Sequence, residues 1–471
     1  MQPFADITKA ENTMKILKQG DSRVAKIISK TCLKEGSEYK VSLFVYPYSE
    51  DGHYILRNTL TNETAELSQS EWEAFVQIRE NGADCGYIEK NGLTKLVLSR
   101  YIIEDKCDDI QQYQTVIFLL KTMAKRKPGL KSYTILPTTG CNARCVYCYE
   151  EGYAVKTMTP EIADRLVEFI CETRHDDTIT LKWFGGEPLA AANIIRRICN
   201  GLKERDVPYK SSMVTNASLL TKELAHEAKE LWHLEKVQVS LDGAKEDYTP
   251  RKNYYNPEKH NYDVVMQAIH YFADKDIKVN LRCNFDWENI DRLSGFFRDI
   301  KAEFGDMKNI TMYIAPLFQT QREESIIDLY RRMFELEDEM RALGLSQSVR
   351  DHESVRIRVN YCMADSMDKC IVITPDGVFN NCEHLPEAQT WGNLFDGVTD
   401  QAKFDELSTA PKVDEKCAKC PFLPECTPYY KNACPGWFEK CYEYHCIKTE
   451  HAMHNLLKGV NTETEDDDEE I

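Results

Sequence analysis

Between residues 131 and 316 the chain switches repeatedly between two hydrophobic periods. Short runs dominated by β-branched and aromatic residues read as strands: SYTILPT (132–138), TITLKWF (178–184), YKSSMVTN (209–216), KVQVSLD (236–242), KVNLRCN (278–284) and NITMYIA (309–315). Between them, apolar residues recur at helical spacing in PEIADRLVEFICETR (160–174), LLTKELAHEAKELW (219–232) and YDVVMQAIHYFADK (262–275). Strands each followed by a helix predict a parallel sheet with right-handed crossovers. Six such units make a partial, TIM-like (β/α)6 barrel, because closure takes eight. The fold class is therefore α/β.

The flanks read differently. Residues 38–105 pattern as a small α+β unit, with strands at KVSLFVYP (40–47) and YILRNTL (54–60). A helix is predicted over 68–82, capped by Ser68 or Ser70 and stopped at Asn81-Gly82. Segment 92–103 fits a strand or a helix, and 115–129 is a basic amphipathic connector. Residues 324–344 form an amphipathic helix; from about 350 the segments shorten and Cys, Pro and aromatics rise. The expected organisation is an α+β domain over 1–115, the barrel over 131–320, a bridging helix over 321–349, a cysteine-rich domain over 350–455 and a disordered acidic tail over 456–471.

Composition narrows the function classes. With 471 residues, 42% of them hydrophobic, the chain has ample material for a core. It shows no signal-like apolar run at its start and no stretch near the roughly 18 apolar residues of a membrane span, so a cytoplasmic protein without a membrane partner is expected. The net charge is −18; removing the seven acidic groups between Glu463 and Glu470 still leaves −11, which disfavours nucleic acid as a partner. Eighteen cysteines are many for a reducing compartment, where clustered thiols point to metal or catalysis. Cys32, Cys85, Cys107, Cys171, Cys199 and Cys283 are scattered singly and read as small apolar residues. The other twelve fall between Cys141 and Cys148 and between Cys362 and Cys446.

The first group follows the first predicted strand, in TTGCNARCVYCYE, with Cys141, Cys145 and Cys148 in one short loop. Three thiolates on a four-iron cluster leave one iron without a protein ligand, free to bind a small molecule. A structural zinc ion wants four ligands, and no fourth Cys or His lies nearby in sequence. Later strands also end in polar or glycine residues: Gly185, Gly186 and Glu187 in WFGGEP, Thr215 and Asn216 in VTNA, Ser240 and Asp242 in VSLDG, then Arg282 and Asn284. Carboxyl ends of parallel strands share one face, the usual site face of such sheets.

The Cys-x3-Cys-x2-Cys loop, with aromatic Tyr147 before its last cysteine, resembles the signature of the radical S-adenosylmethionine (SAM) superfamily. The resemblance implies a [4Fe-4S] cluster on Cys141, Cys145 and Cys148 whose open iron chelates SAM. One electron then cleaves SAM to methionine and a 5′-deoxyadenosyl radical that abstracts hydrogen from a substrate. Gly185, Gly186 and Glu187 match the motif that holds the SAM amino group. Asn216, on the same face, is a further candidate for cofactor binding. Ser240 and Arg251 match the serine and arginine implied in binding SAM hydroxyl and carboxylate groups. An arginine suits a carboxylate because its planar fork pairs bidentately.

The second group spans YCMADSMDKCIVITPDGVFNNCEHLPE, CAKCPFLPEC and CPGWFEKCYEYHC. It resembles the SPASM domain, an auxiliary-cluster module found after radical SAM barrels, and so implies two further [4Fe-4S] clusters. By position, Cys362, Cys382, Cys434 and Cys446 take one, and Cys370, Cys417, Cys420 and Cys426 the other. Cys441 is spare or trades with Cys446. Thiolates at these spacings also suit zinc ribbons.

Radical SAM/SPASM proteins mostly modify peptides, and peptide maturases often carry a winged-helix-like N-terminal element that binds a precursor's leader. The resemblance thus implies a ribosomal-peptide maturase, with a thioether from a Cys sulfur to a carbon of another residue as product. Its partners would be a precursor peptide and an electron donor such as flavodoxin or ferredoxin. Glu383 occupies the place where sulfatase-maturing relatives keep a proposed catalytic acid. A formylglycine-generating sulfatase maturase and a zinc-bound, non-catalytic peptide scaffold are the alternatives.

Overall fold

The computed structural model describes residues 14–28, 33–124, 129–175, 178–305, 307–317, 326–346, 369–383, 390–408, 413, 415–426 and 440–459. Cys32, Cys362, Cys434 and the acidic tail lie outside the described residues. The chain forms two compact units, one from residues 127–347 with 362–410, the other from the chain up to 126 with 411–467.

In the first of these, six parallel strands pair in chain order: Ser132–Thr138, Ile179–Gly185, Tyr209–Thr215, Leu234–Ser240, Lys278–Phe285 and Ile310–Pro316. Helices Pro160–Thr173, Ala192–Lys203, Lys222–Glu230, Tyr262–Ala273, Leu293–Phe304 and Ile326–Ala342 alternate with them. This is the expected partial (β/α)6 barrel. Helix Ile326–Ala342, expected as a bridge, packs on the sixth strand, and Met312 N–H donates to Leu345 O beyond the helix at 2.8 Å. The strands alternate as a half-buried sheet should. Leu181, Trp183, Met213, Val237, Val239, Val279, Leu281 and Met312 are buried. Lys182, Ser212, Gln238, Ser240, Asn280, Arg282 and Tyr313 are only partly covered. In register, Lys182 stands beside Ser212, Gln238 beside Asn280, and Ser240 beside Arg282 and hence Tyr313. None of these half-buried positions carries Asp or Glu.

The sheet does not stop at six strands. Strand Cys370–Ile373 pairs in parallel with Ser132–Thr138, and Val378–Asn380, Gly392–Asn393 and Gly397–Val398 continue it antiparallel, giving ten strands. The first strand, SYTILPT, is buried along its whole length because it lies inside the sheet rather than at its edge. The turn at Pro375-Asp376-Gly377 closes the expected hairpin; Gly377 has φ 74°, a conformation that costs other residues.

The second unit holds two antiparallel sheets. One orders Lys15–Lys18, Glu63–Leu67, His53–Asn58 and Val45–Glu50; the other orders Ala83–Asp84, Glu38–Val41 and Ile102–Glu104. The single strand expected over 40–47 is broken in two. Asp109 accepts from Ser42 Oγ at 2.6 Å and from Leu43 N–H at 3.0 Å, so a side chain far along the chain pins the break. Helix Gln69–Asn81 begins at Ser68 with a reciprocal Ser68–Glu71 capping box. Segment 92–103 is both of the expected alternatives, helix Thr94–Leu98 and then strand Ile102–Glu104. Helix Cys441–Leu457 lies against Val45–Glu50, with Tyr46 OH donating to Glu450 at 2.6 Å. Among the described residues no helix is long and apolar enough to cross a membrane.

Candidate functional site

Cys141, Cys145 and Cys148 lie just past the first barrel strand, in a loop with little regular structure of its own. Backbone from elsewhere gives it shape. Arg144 N–H donates to Lys252 O at 3.2 Å and Asn253 O at 3.0 Å, and Val146 N–H donates to Arg251 O at 3.0 Å. Tyr255 N–H returns to Asn142 O at 3.1 Å, and Ala143 bridges Tyr254. These acceptors are carbonyls at and just past the end of helix Lys245–Lys252, groups that a helix leaves without internal partners. The cysteine loop is thus capped onto a helix C-terminus.

The second strand end presses on the loop from another side. Gly186 N–H donates to Thr138 O at 3.1 Å and Glu187 N–H to Gly140 O at 2.9 Å. A Cβ on Gly186 would lie 2.5 Å from Gly140 O and 2.6 Å from Thr139 O, so only glycine fits. Gly185 adds a left-handed φ of 114°. Glu187, expected as a charge partner for SAM, is fully buried and faces protein donors. Its carboxylate accepts from Thr215 Oγ1 at 2.6 Å, Asn216 N–H at 2.7 Å and Leu189 N–H at 3.0 Å, tying the second strand end to the third. Burial pushes its pKa up, against those hydrogen bonds. Asn216 donates through Nδ2 to Asn142 Oδ1 at 2.9 Å and to the Cys141 sulfur at 3.8 Å, so it touches the cysteine loop itself.

The fourth and fifth strand ends supply charge. Ser240 is half-buried at its strand end. Asp242 is fully buried and accepts from Asn284 N–H and Nδ2 at 3.1 and 2.8 Å, and from the Tyr147 hydroxyl. Arg251 is buried, with Nη2 on Asp286 at 2.5 Å, while Nη1 has no hydrogen-bond partner. A buried guanidinium with an uncommitted edge is suited to a carboxylate.

The three thiols suit an iron–sulfur cubane. Burial raises the pKa of each, to about 12 for Cys141, and Cys141 feels the charges of Cys145 and Cys148 while Cys148 feels that of Cys145. Among the described residues no three His, Cys, Asp or Glu side chains are arranged around a single ion. A cubane does not require that, since each thiolate binds a different iron. Gly186 closes against the backbone that precedes Cys141, and the Arg251 Nη1 is buried without a hydrogen-bond partner.

The hairpin brings Cys382 and Glu383 to the same neighbourhood. Burial raises the Tyr149 hydroxyl pKa, and the charges of Glu150, Glu383, Cys148 and Cys382 add to it, so these groups surround one phenol. Burial also raises Glu150 to about 7. Glu383 is therefore not an isolated solvated charge. Cys370 is 2% exposed, packed with Leu136, Val372 and Phe184.

In the other unit, the Cys420 thiol, raised to about 11 by burial, feels Cys441, Cys417 and Cys446. Cys417 and Cys426 both act on Tyr113. Cys446, which the resemblance implied with Cys382, and Cys441, implied as spare or as trading with Cys446, both act on the Cys420 thiol. Both lie in the first two turns of helix Cys441–Leu457. The loop between Cys420 and Cys426 is anchored by the ion pair Arg57–Glu425, at 2.5 Å.

Residues 135–300 match the family model described as the Radical SAM superfamily. An uncharacterized protein of Methanocaldococcus jannaschii is 32% identical over 119 residues, 24% of this chain and 40% of that protein. The radical SAM cyclopropyl synthase TigE of Paramaledivibacter caminithermalis is 28% identical over 117 residues, 21% of this chain and 25% of TigE. The chain thus spans at most two fifths of these relatives' length. The structure of native anSMEcpe with bound AdoMet and Cp18Cys peptide aligns with a TM-score of 0.57 at 17% identity, over 71% of this chain and 100% of that one.

Proposed function

We propose that this chain, with its radical SAM domain, is a radical SAM enzyme that modifies a ribosomally made peptide, forming a thioether between a Cys sulfur and a carbon of another residue. The observation that carries the reading is the cysteine loop clasped at the carboxyl ends of a parallel sheet with a polar, partly open face. A [4Fe-4S] cluster on Cys141, Cys145 and Cys148 would supply one-electron cleavage of SAM and the hydrogen-abstracting radical that follows. The lack of a side chain at Gly186 lets the backbone before Cys141 close on the second strand end, which would hold the cluster loop in place. Arg251, braced by Asp286, offers its second Nη to the ligand's carboxylate, and Ser240 a hydroxyl.

Peptide as substrate is supported by the fold shared with anSMEcpe, whose structure holds a peptide, and by the polar wall of Lys182, Gln238, Asn280, Arg282 and Tyr313. That wall is suited to backbone amides and polar side chains rather than to a purely apolar molecule. Cys382 with Glu383, and Cys417, Cys420, Cys426, Cys441 and Cys446, supply thiols for auxiliary clusters. Glu383, close to Tyr149, is the proposed proton acceptor near the substrate. In the N-terminal unit, strand edges are proposed to pair with an extended leader by β-addition. An external redox protein supplies the electron.

Anaerobic co-expression with a candidate precursor, followed by peptide mass fragmentation, tests this. The expected product has lost two hydrogens and carries a Cys-to-carbon link, and the purified protein cleaves SAM after reduction. Formylglycine at a Cys or Ser would instead establish the sulfatase-maturase activity. A colourless zinc protein, or a Cys145→Ala variant that still cleaves SAM, overturns the reading.

A further inference from the structure

Directly beneath the cysteine loop lies a buried ion pair with no part in the proposed binding of SAM or peptide. Lys252 is 2% exposed and Asp242 fully buried. Lys252 Nζ is 3.0 Å from Asp242 Oδ2 and donates to the Tyr147 hydroxyl at 2.7 Å; that hydroxyl donates in turn to Asp242. Nζ also lies 5.3 Å from the Tyr147 ring centroid and 5.7 Å from that of Tyr248. Asp242's other oxygen is filled by Asn284, so the carboxylate is held from every side.

Burying an ammonium costs several kcal/mol, about as an order of magnitude, and a methionine of similar length would pack the site without that penalty. The charge therefore calls for a use. Tyr147 is one residue from Cys148 and two from Cys145, so the cation sits behind the ligand loop. Two Asn284 donors offset part of the Asp242 carboxylate's charge, whereas Nζ donates to the Tyr147 hydroxyl and lies over the ring of that loop residue. The pair thus presents its positive end to the loop. Reducing a cluster adds one negative charge, and a fixed cation in a poorly solvated site stabilises that charge.

We infer that Lys252, held by Asp242 and Tyr147, raises the reduction potential of the cluster on Cys141, Cys145 and Cys148. It is a positioning residue for charge and touches no reacting atom. The inference rests on the radical SAM reading, since it concerns the cluster that reading places there.

The test is an EPR-monitored redox titration of the reconstituted full chain, following the cluster whose signal changes when SAM is added. Lys252→Met is expected to disfavour the reduced cluster at least tenfold, a fall of about 59 mV for one electron. Lys252→Arg should stay close to wild type. Lys252→Met leaves Asp242 uncompensated, which costs stability, so the neutral pair Lys252→Met/Asp242→Asn is titrated alongside. Its potential should also fall, by less, because the removed cation outweighs the removed anion at the loop. Unchanged potential in a variant with full iron content overturns the inference. So does a variant whose only defect is lost protein or lost iron, with the double variant at the wild-type potential. If wild type itself shows no SAM-responsive cluster, the functional reading has failed instead, and the two failures are distinguishable.

Discussion

Gly186→Ala puts the backbone geometry of the site to a direct test. The added Cβ would stand 2.5 Å from Gly140 O and 2.6 Å from Thr139 O, where real contacts begin above 3.0 Å. Both obstacles are backbone, and Gly140 immediately precedes Cys141, so relief requires moving the start of the ligand loop by about 0.5 Å. Overpacking of this size costs about 1–3 kcal/mol. The barrel, with its buried outward face, should survive that, and the melting temperature should fall by only a few degrees, about 2–4 °C per kcal/mol for a domain of this size. Function should suffer far more, because a reactive group displaced by about 1 Å costs on the order of a hundredfold. The assay is reductive SAM cleavage, normalised to iron content, with circular dichroism for the fold. A tenfold or greater loss at near-native stability is expected. Wild-type cleavage with full iron content would refute the claim that the loop is set by this close approach.

Three further outcomes follow from other parts of the molecule. Arg57→Ala strands the Glu425 carboxylate in the cysteine-rich unit and should cost about 3–5 kcal/mol in urea unfolding; Arg57→Met with Glu425→Leu should recover much of it. Burial alone would raise the Glu425 pKa, but Arg57 and then Lys448 more than offset this and hold it below the ordinary carboxylate range. That stability is present above the unfolded pKa and is lost as pH falls through the depressed folded value. Acid unfolding of wild type should show it, and Arg57→Ala should lack it. Arg251→Lys keeps the charge but loses the planar fork, so calorimetry should find SAM bound about tenfold more weakly, the lower end for a charged hydrogen bond; an unchanged Kd excludes Arg251 as the carboxylate partner. Lys182→Met should leave peptide-independent SAM cleavage intact while raising the KM for a modified peptide roughly tenfold, the worth of one polar contact.

The barrel was legible because its local and tertiary signals agree. Each parallel strand needs an apolar outward face under a helix, and the runs from SYTILPT to NITMYIA carry that need in their own composition; the observed bounds differ by a residue or two. The strand broken at Ser42 was not legible, because the residue that breaks it, Asp109, lies 66–67 positions away. The docking of Cys370–Ile373 on the first strand was hidden for the same reason, since its partner lies more than 200 positions away. At the site, the motifs located Gly186, Asn216 and Arg251, while the inward turn of Glu187 depended on donors from the third strand. Lys252 was passed over beside Arg251, since its partners Asp242 and Tyr147 announce themselves only across a folded loop, Tyr147 from 105 positions away.

The cysteine loop therefore has two separable determinants. Its shape comes mainly from backbone, through the end of helix Lys245–Lys252 and the glycines after the second strand, with Asn216 adding side-chain hydrogen bonds at Asn142 and Cys141. Its electrostatics come from one buried lysine that contributes no ligand. A displacement such as Gly186→Ala should change cleavage without changing the charge near the loop, and so leave the reduction potential close to wild type. Lys252→Met should do the reverse, moving the potential while SAM affinity, which depends on Arg251 and the glycine cradle, stays put. If both variants shifted potential and affinity together, shape and charge at this loop would be one property, and the division of labour argued from its contacts would be wrong.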